Sequence, residues 1–255
     1  MTPPPPLATV RAENASAMTL DGTRSYVIGH ERAAIIDPGP DDPAHLEALV
    51  DEVSGCRTVT LLVTHWHPDH AGGAARLGKW LGAPVRGFSP EVRGRGAVRE
   101  GTEIETDVGT LRVVETPGHT PDHISILWSG GEAPEGGALF AGDLFMGEGD
   151  TTLVAAPEGD LDAYLHSLDR IEALAPGVIY PAHGPPITDP AETIARYRAH
   201  RAERIAQVEA ALPATGAPSL DELRERVYGP ELPTTLRAAA DGSLRAILDH
   251  ISARQ

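Results

Sequence analysis

Thr64-His65-Trp66-His67-Pro68-Asp69-His70-Ala71-Gly72-Gly73 decides the reading of this chain, because it packs four metal-binding side chains into six residues directly after an apolar run. That run, residues 59–63 (Val-Thr-Leu-Leu-Val), has the β-branched and aliphatic content of a buried strand, so the histidines and aspartate sit on the loop where the strand ends. Loops held at strand ends commonly carry chemistry. Imidazole and carboxylate suit zinc, iron and manganese and leave a coordination position open for water. The segment reads as a hydrolytic metal site.

Three later positions extend the cluster: His119 in Thr116-Pro-Gly-His-Thr120, Asp143 in Phe140-Ala-Gly-Asp-Leu144 and His183 in Tyr180-Pro-Ala-His-Gly184. Each follows an apolar, strand-like run (residues 111–114, 138–141 and 178–180) and sits beside glycine or proline. Several strands would then deliver ligands to one edge of a sheet.

His-x-His-x-Asp-His, followed by a distant His, a distant Asp and a last His, resembles the pattern of the metallo-β-lactamase superfamily. By that resemblance the fold is an αββα sandwich with two metal sites. His65, His67 and His119 would hold one metal, Asp69, His70 and His183 the other, and Asp143 would bridge them. The resemblance implies two zinc ions, with manganese or iron as alternatives. Metals about 3.5–4 Å apart can share a hydroxide nucleophile and polarise the scissile oxygen. Asp143 would fix their separation and Asp69 would orient the hydroxide, which makes these two aspartates the candidate catalytic residues. Ile36-Asp37-Pro38-Gly39 also matches a turn common in the family, but it reads equally as a tight turn, and Asp37 is not counted in the site.

The chain has 255 residues, enough for one large domain or a domain with an appendage, and its 41% hydrophobic content is ordinary for a globular protein. Cys56 is the only cysteine, so no intrachain disulfide can form, and it reads as a small core residue. Residues 1–10 have neither a basic start nor an apolar signal core, and no run approaches the roughly 18 apolar residues of a membrane helix. A cytoplasmic protein with no membrane partner is the expectation. Twenty arginines beside the lone Lys79 suggest a GC-rich bacterial genome.

Residues 18–29 and 33–39 read as two strands of a hairpin or meander. Residues 43–53 have helical spacing after the candidate caps Asp41 and Asp42, and 72–81 and 161–174 read as further helices. Residues 84–114 alternate turns with short strands, and 125–128 continues that pattern. Strands alternating with helices fit sheets covered by helices.

The character changes after Asp189. Residues 191–212, 220–227 and 232–251 read as helices, giving a catalytic domain over 1–189 and a helical, winged-helix-like subdomain over 190–255. The tail carries nine arginines and nine acidic residues, so residues 1–189, with 12 basic against 28 acidic, hold the whole net charge of −16. That balance argues against a broadly basic surface for long nucleic acids. Tyr197, Arg201 and Arg204 nevertheless fall near one another at i, i+4 and i+7, as an anion-binding face or as an ordinary solvated helix. An apolar face on the tail helices would support a homodimer. His123, four residues after His119, is a candidate for substrate contact or proton transfer, and Thr120 and Asp122 are candidate partners of the ligands.

Gly147-Glu-Gly-Asp-Thr151, Tyr180-Pro-Ala-His-Gly-Pro-Pro186, Tyr197-Arg-Ala-His-Arg201 and the start at Met18-Thr-Leu-Asp-Gly-Thr-Arg-Ser-Tyr26 resemble the beta-lactamase-like protein 2 group across nearly the whole chain. The group includes a single-strand-specific endoribonuclease and relatives that cleave thioesters, so the resemblance leaves the substrate open. The glyoxalase II-like dinuclear motif is present, but the glutathione-binding pattern of those thioesterases is not recognisable. The leading expectation is a dinuclear zinc hydrolase of a small ester or thioester, carrier-bound or coenzyme A-type. A metal-dependent endoribonuclease acting on single-stranded RNA is the alternative. A non-catalytic binding protein and a mononuclear iron persulfide dioxygenase complete the set.

Overall fold

The computed structural model describes residues 5–87, 97–213 and 218–254. Two five-stranded mixed sheets lie between helices. The first contains β1 (Leu7–Arg11), β2 (Arg24–Ile28), β3 (Arg32–Ile36), β4 (Thr58–Leu62) and β5 (Val85–Arg86), in that spatial order. Its β1, β2 and β3 are antiparallel, whereas β3, β4 and β5 run parallel. The second contains β6 (Glu103–Glu105), β7 (Thr110–Glu115), β8 (Ile124–Ser129), β9 (Ala138–Gly142) and β10 (Val178–Pro181), ordered β10-β9-β8-β7-β6. Only β9 and β10 pair in parallel there.

Period-two burial explains the layering, since successive strand residues face opposite sides of a sheet. Tyr26 and Ile28 of β2, Ala34 and Ile36 of β3, Leu111 and Val113 of β7, and Ala138 and Phe140 of β9 meet in one cluster between the sheets. Their neighbours Val27, Ala33 and Ile35 point outward onto Leu46, Leu49 and Leu77, contributed by α1 (Pro43–Glu52) and α3 (Ala74–Leu81). On the far side, Val114, Leu139 and Ala141 pack on α4 (Leu161–Leu174) and on the tail helices. Four layers result: helix, sheet, sheet, helix.

Most expected elements fall where the spacing puts them. Asp42 caps α1, its carboxylate accepting from the Ala44 N–H at 2.9 Å. A one-turn α2 (Pro68–Ala71) precedes α3, so the helix expected over 72–81 is preceded by a turn that carries Asp69 and His70. Strand β1 had no counterpart in the sequence reading, because its five residues give only a short alternation, Ala8-Thr9-Val10-Arg11, and are held by pairing with β2. Part of the strand-and-turn alternation expected over 84–114, residues 88–96, lies outside the described residues.

The tail forms α5 (Pro190–Ala211), α6 (Leu220–Tyr228) and α7 (Arg237–Ala253). The helix expected from 232 starts later, because Pro233 precedes a single 3-10 turn, Thr234–Leu236. Among the described residues of this segment there is no strand. Ile205, Val208, Leu223, Leu244, Ile247 and Ile251 join the cluster that also holds Leu139, Phe145 and Tyr164. The apolar tail faces that suggested a homodimer are therefore used within the chain. No helix among the described residues is long and apolar enough to cross a membrane.

Candidate metal centre

Strand direction gathers the site. In the second sheet β7, β9 and β10 share one direction, since each is parallel to β9 or separated from it by two antiparallel pairings. Their carboxyl ends lead to His119, Asp143 and His183. In the first sheet parallel β3 and β4 end at Asp37 and at Thr64-His65. Ligand-bearing loops of both sheets therefore open at the same edge. The Tyr26 hydroxyl ties that edge together by donating to Pro181 O at 2.6 Å.

Two groups of donor atoms result, each with its atoms within 4.8 Å of one another: His65, His67, His119 and Asp143, and Asp69, His70 and His183. His65 Nε2 lies 2.9 Å from His67 Nδ1, which lies 3.0 Å from His119 Nε2. Asp143 touches both groups. Its Oδ2 is 3.4 Å from His119 Nε2, and its Oδ1 is 3.2 Å from both His70 Nε2 and His183 Nε2. Asp69 Oδ2 is 3.3 Å from His183 Nε2.

This donor set fits divalent metal. Buried polar atoms normally find hydrogen-bond partners. Yet His70 Nε2, His183 Nε2 and Asp143 Oδ1 make no hydrogen bond among the described residues, although they converge on one another. Burying that many imidazoles and carboxylates together has a clear physical reason if cations share the space. Burial pushes His65 well down in pKa, and the adjacent His70 adds to the shift, which leaves a neutral lone pair. For Asp143 burial acts upward, but His70 and His183 outweigh it and hold the carboxyl well below its usual range. His183 is pushed up to about 9 because its contacts with Asp143 and Asp69 outweigh burial.

The outward-facing ring nitrogens are mostly held in place. His119 Nδ1 donates to Leu153 O at 2.7 Å, and His65 Nδ1 lies 3.1 Å from Thr64 Oγ1. His70 Nδ1 lies 2.8 Å from Asp37 Oδ2. Asp37, left out of the site on sequence grounds, is 2% exposed and sits at φ 50°. Its carboxylate also accepts from Thr64 N–H at 2.7 Å and Thr64 Oγ1 at 2.8 Å. Ser25 Oγ donates to the Asp37 carbonyl and meets His45 Nε2 at 2.9 Å. A buried carboxylate behind a histidine fixes the ring and raises its basicity toward a metal. The signal available in sequence was the Asp-Pro-Gly turn directly after a strand.

His123 is buried beside the cluster, its ring centroid 5.1 Å from that of His65, and it has no open ring nitrogen. Nε2 accepts from the Asp143 N–H at 3.1 Å, and Nδ1 pairs with Thr116 Oγ1 at 2.9 Å. Burial brings its pKa down to about 3, so it is neutral and serves as an acceptor. Gly142 permits this arrangement: at φ 49° it is left-handed, and a Cβ there would come within 2.7 Å of both His123 Nε2 and Thr64 Oγ1. Thr120 donates to Asp122 at 2.7 Å.

A cavity of about 490 Å³ opens over the cluster, with His67, Asp69, His119 and Asp143 at its base. Arg201 and Arg204 line it, as does His200, which the sequence reading passed over. Arg201, 5% exposed, donates to Thr152 O and stacks over Tyr164 at 4.9 Å. Its Nε has no hydrogen-bond partner among the described residues. Arg204 lies over Tyr228 at 4.6 Å. The structure separates Tyr197 from this face: it is fully buried, and its hydroxyl accepts from Met146 N–H at 2.8 Å. It is not part of the cavity lining. Facing the α5 cations, the tail supplies Tyr228, Leu232, Leu236 and Ala240.

The metallo-beta-lactamase superfamily model matches this chain over residues 18–96 and 93–183. The chain belongs to the metallo-β-lactamase superfamily. Superfamily members similar to it include a lactamase-like protein of Aspergillus niger, 35% identical over 78% of this chain. The chain spans 61% of that fungal protein's length. A beta-lactamase-like protein 2 homolog of Drosophila melanogaster is 34% identical, with 76% of this chain and 70% of the relative covered. A protein of Aspergillus chevalieri named atrochrysone carboxyl ACP thioesterase is 32% identical over 88% of this chain and 74% of its own length. Among solved structures, a metallo-beta-lactamase family protein from Thermus thermophilus superposes with TM-score 0.80 at 22% identity, covering 98% of this chain and 94% of the other. That likeness carries the fold alone.

Proposed function

We propose that this superfamily member is a dinuclear metal-dependent hydrolase of a small ester or thioester, the acyl group carried on an acyl-carrier or coenzyme A-type arm. The observation that carries the reading is one cavity with His67, Asp69, His119 and Asp143 at its base, an apolar side and a single cationic patch. The relative named as an acyl carrier thioesterase supports the same substrate class. In this reading residues 1–189 form the catalytic unit, and 190–255 a helical subdomain that shapes the substrate cavity.

His65, His67 and His119 would hold one metal ion, Asp69, His70 and His183 the second, and Asp143 would touch both. Two zinc ions suit this set of five imidazoles and two carboxylates, with manganese or iron as alternatives. When bound, such ions supply Lewis acidity for the scissile carbonyl and activate water near neutral pH. The chain's own residues then do the following. Asp69 is ionised at neutral pH, because its contacts with His183 and His70 outweigh burial, so its carboxylate would accept a hydrogen bond from the attacking water and orient it. Asp143 is fixed by His123 behind its backbone N–H and keeps the two groups in register. Arg201 and Arg204 take an anionic portion of the substrate.

The test is thiol release from acyl thioesters by protein loaded with zinc or manganese, run beside Asp143→Asn with metal content measured for both. Hydrolysis lost in the variant is expected. Intact thioesters and esters, together with Asp143-dependent cleavage of labelled single-stranded RNA by the same preparation, would overturn the reading in favour of a nuclease.

A further inference from the structure

Helix α7 and its N-cap residue Leu236 show one face to the cavity. Leu236, Ala239, Ala240 and Ser243 recur at i, i+3, i+4 and i+7, which places them on a single stripe, and all four line the cavity that has Asp143 at its base. Leu232 and Tyr228 continue that wall. A wall of this composition has no donor or acceptor for a sugar or a base, apart from the Ser243 and Tyr228 hydroxyls. It desolvates hydrocarbon well. A second feature points to a ligand in the same space: Arg201 lines the cavity, is 5% exposed and has no partner for Nε among the described residues.

The helix cannot retreat from the cavity. Ala156 N–H donates to the Gly242 carbonyl at 3.0 Å, and a Cβ on Gly242 would come within 2.8 Å of Ala155 Cβ. Leu244, Ala246, Ile247 and Ile251 anchor a second face of α7 in the core shared with α4 and α5. A larger side chain at position 240 must therefore grow into the cavity and not displace the helix.

We infer that the α7 stripe with Leu232 and Tyr228 is the binding wall for an apolar acyl group, and that Ala240 and Leu236 set how long an acyl chain the enzyme accepts. This rests on the ester or thioester reading for its catalytic consequence, but not for binding. Each methylene laid on the wall strengthens binding by about fourfold until the space is filled.

The experiment uses the full-length, metal-loaded chain and its Ala240→Leu and Leu236→Ala variants. kcat/KM is measured for N-acetylcysteamine thioesters from acetyl to dodecanoyl. Binding of the matching non-hydrolysable acyl amides is measured by calorimetry. The expected result is a rise with chain length that stops earlier in Ala240→Leu and later in Leu236→Ala, in both assays. If Ala240→Leu does not fold, the later stop in Leu236→Ala carries the test alone. Thioester hydrolysis with an unchanged length profile in the folded variants would overturn the inference and leave the function standing. No hydrolysis by the wild type, with amide affinities that still shift between variants, would sink the function and keep the wall. Affinity independent of chain length in the wild type would overturn the inference outright.

Discussion

Packed around Asp143 at the base of the cavity, His65, His70 and His183 are at most 1% exposed, and His70 has Asp37 on one nitrogen and Asp69 and Asp143 on the other. At the tail side Leu232, Leu236, Ala239 and Arg204 stay half-buried, and Arg204 is held by Gln207, the Val227 carbonyl and the ring of Tyr228. The base is assembled from loops of both sheets and the side wall from three helices of one segment. A metal centre needs each donor fixed to within tenths of an ångström, which only a close-packed, cross-connected frame provides. A substrate wall needs shape and little else, so it can be built from side chains that change without disturbing the frame.

Substitutions at the base are expected to act on metal and chemistry, and those at the side on substrate choice. The largest effect is expected at Asp143, where Asp143→Asn should abolish hydrolysis and lower bound metal, read by turnover and by metal analysis. Full activity in that variant would break the comparison at its strongest point. Asp37→Ala frees His70 Nδ1 and the Thr64 N–H, and should weaken metal binding about 10- to 100-fold, measured by chelator competition. An unchanged affinity would show that Asp37 serves the turn alone.

Acidity sharpens the comparison further. His183 is raised from 6.5 to about 9 in the metal-free protein, so the stability it contributes is fully present below pH 6.5 and is lost as pH rises through about 9. Thermal unfolding of chelated protein should therefore show a falling Tm across that window, shallower in His183→Gln but not abolished because His70 is raised as well, and metal uptake within it should release protons. A Tm of chelated protein that rises over the same range would contradict the coupling of His183 to Asp143 and Asp69. The smallest effect belongs to the side wall. Arg204→Ala should raise KM for an anionic substrate by no more than about fivefold, as fits a part-exposed charge worth about 0.2–1 kcal/mol, with kcat and metal content unchanged. A loss of metal in this variant would mean that the two regions are not separable.

Much of the base was legible in the chain itself. His65, His67, Asp69 and His70 lie on a strand-end loop and the one-turn helix after it, so local spacing alone brings them together. His119, Asp143 and His183 follow runs that are strands in the fold, and their shared strand direction does the rest. Arg201 and Arg204 were legible as a helical face, but helical spacing could not tell that Tyr197, on the same helix, turns inward to Met146. Periodicity describes one helix, whereas burial depends on what packs against it.

By itself the sequence pointed to the histidines and aspartates that gather, to the superfamily and to the alternation of strands and helices, because these depend on residue type and on neighbours a few positions away. Only the tertiary structure decided that Asp37 backs His70, that His123 holds the Asp143 backbone and leaves no nitrogen for metal, and that α7 walls the cavity. Those contacts join residues far apart in the chain through a shared edge of two sheets. Nothing in local spacing encodes such an edge until the hydrophobic layers have closed around it.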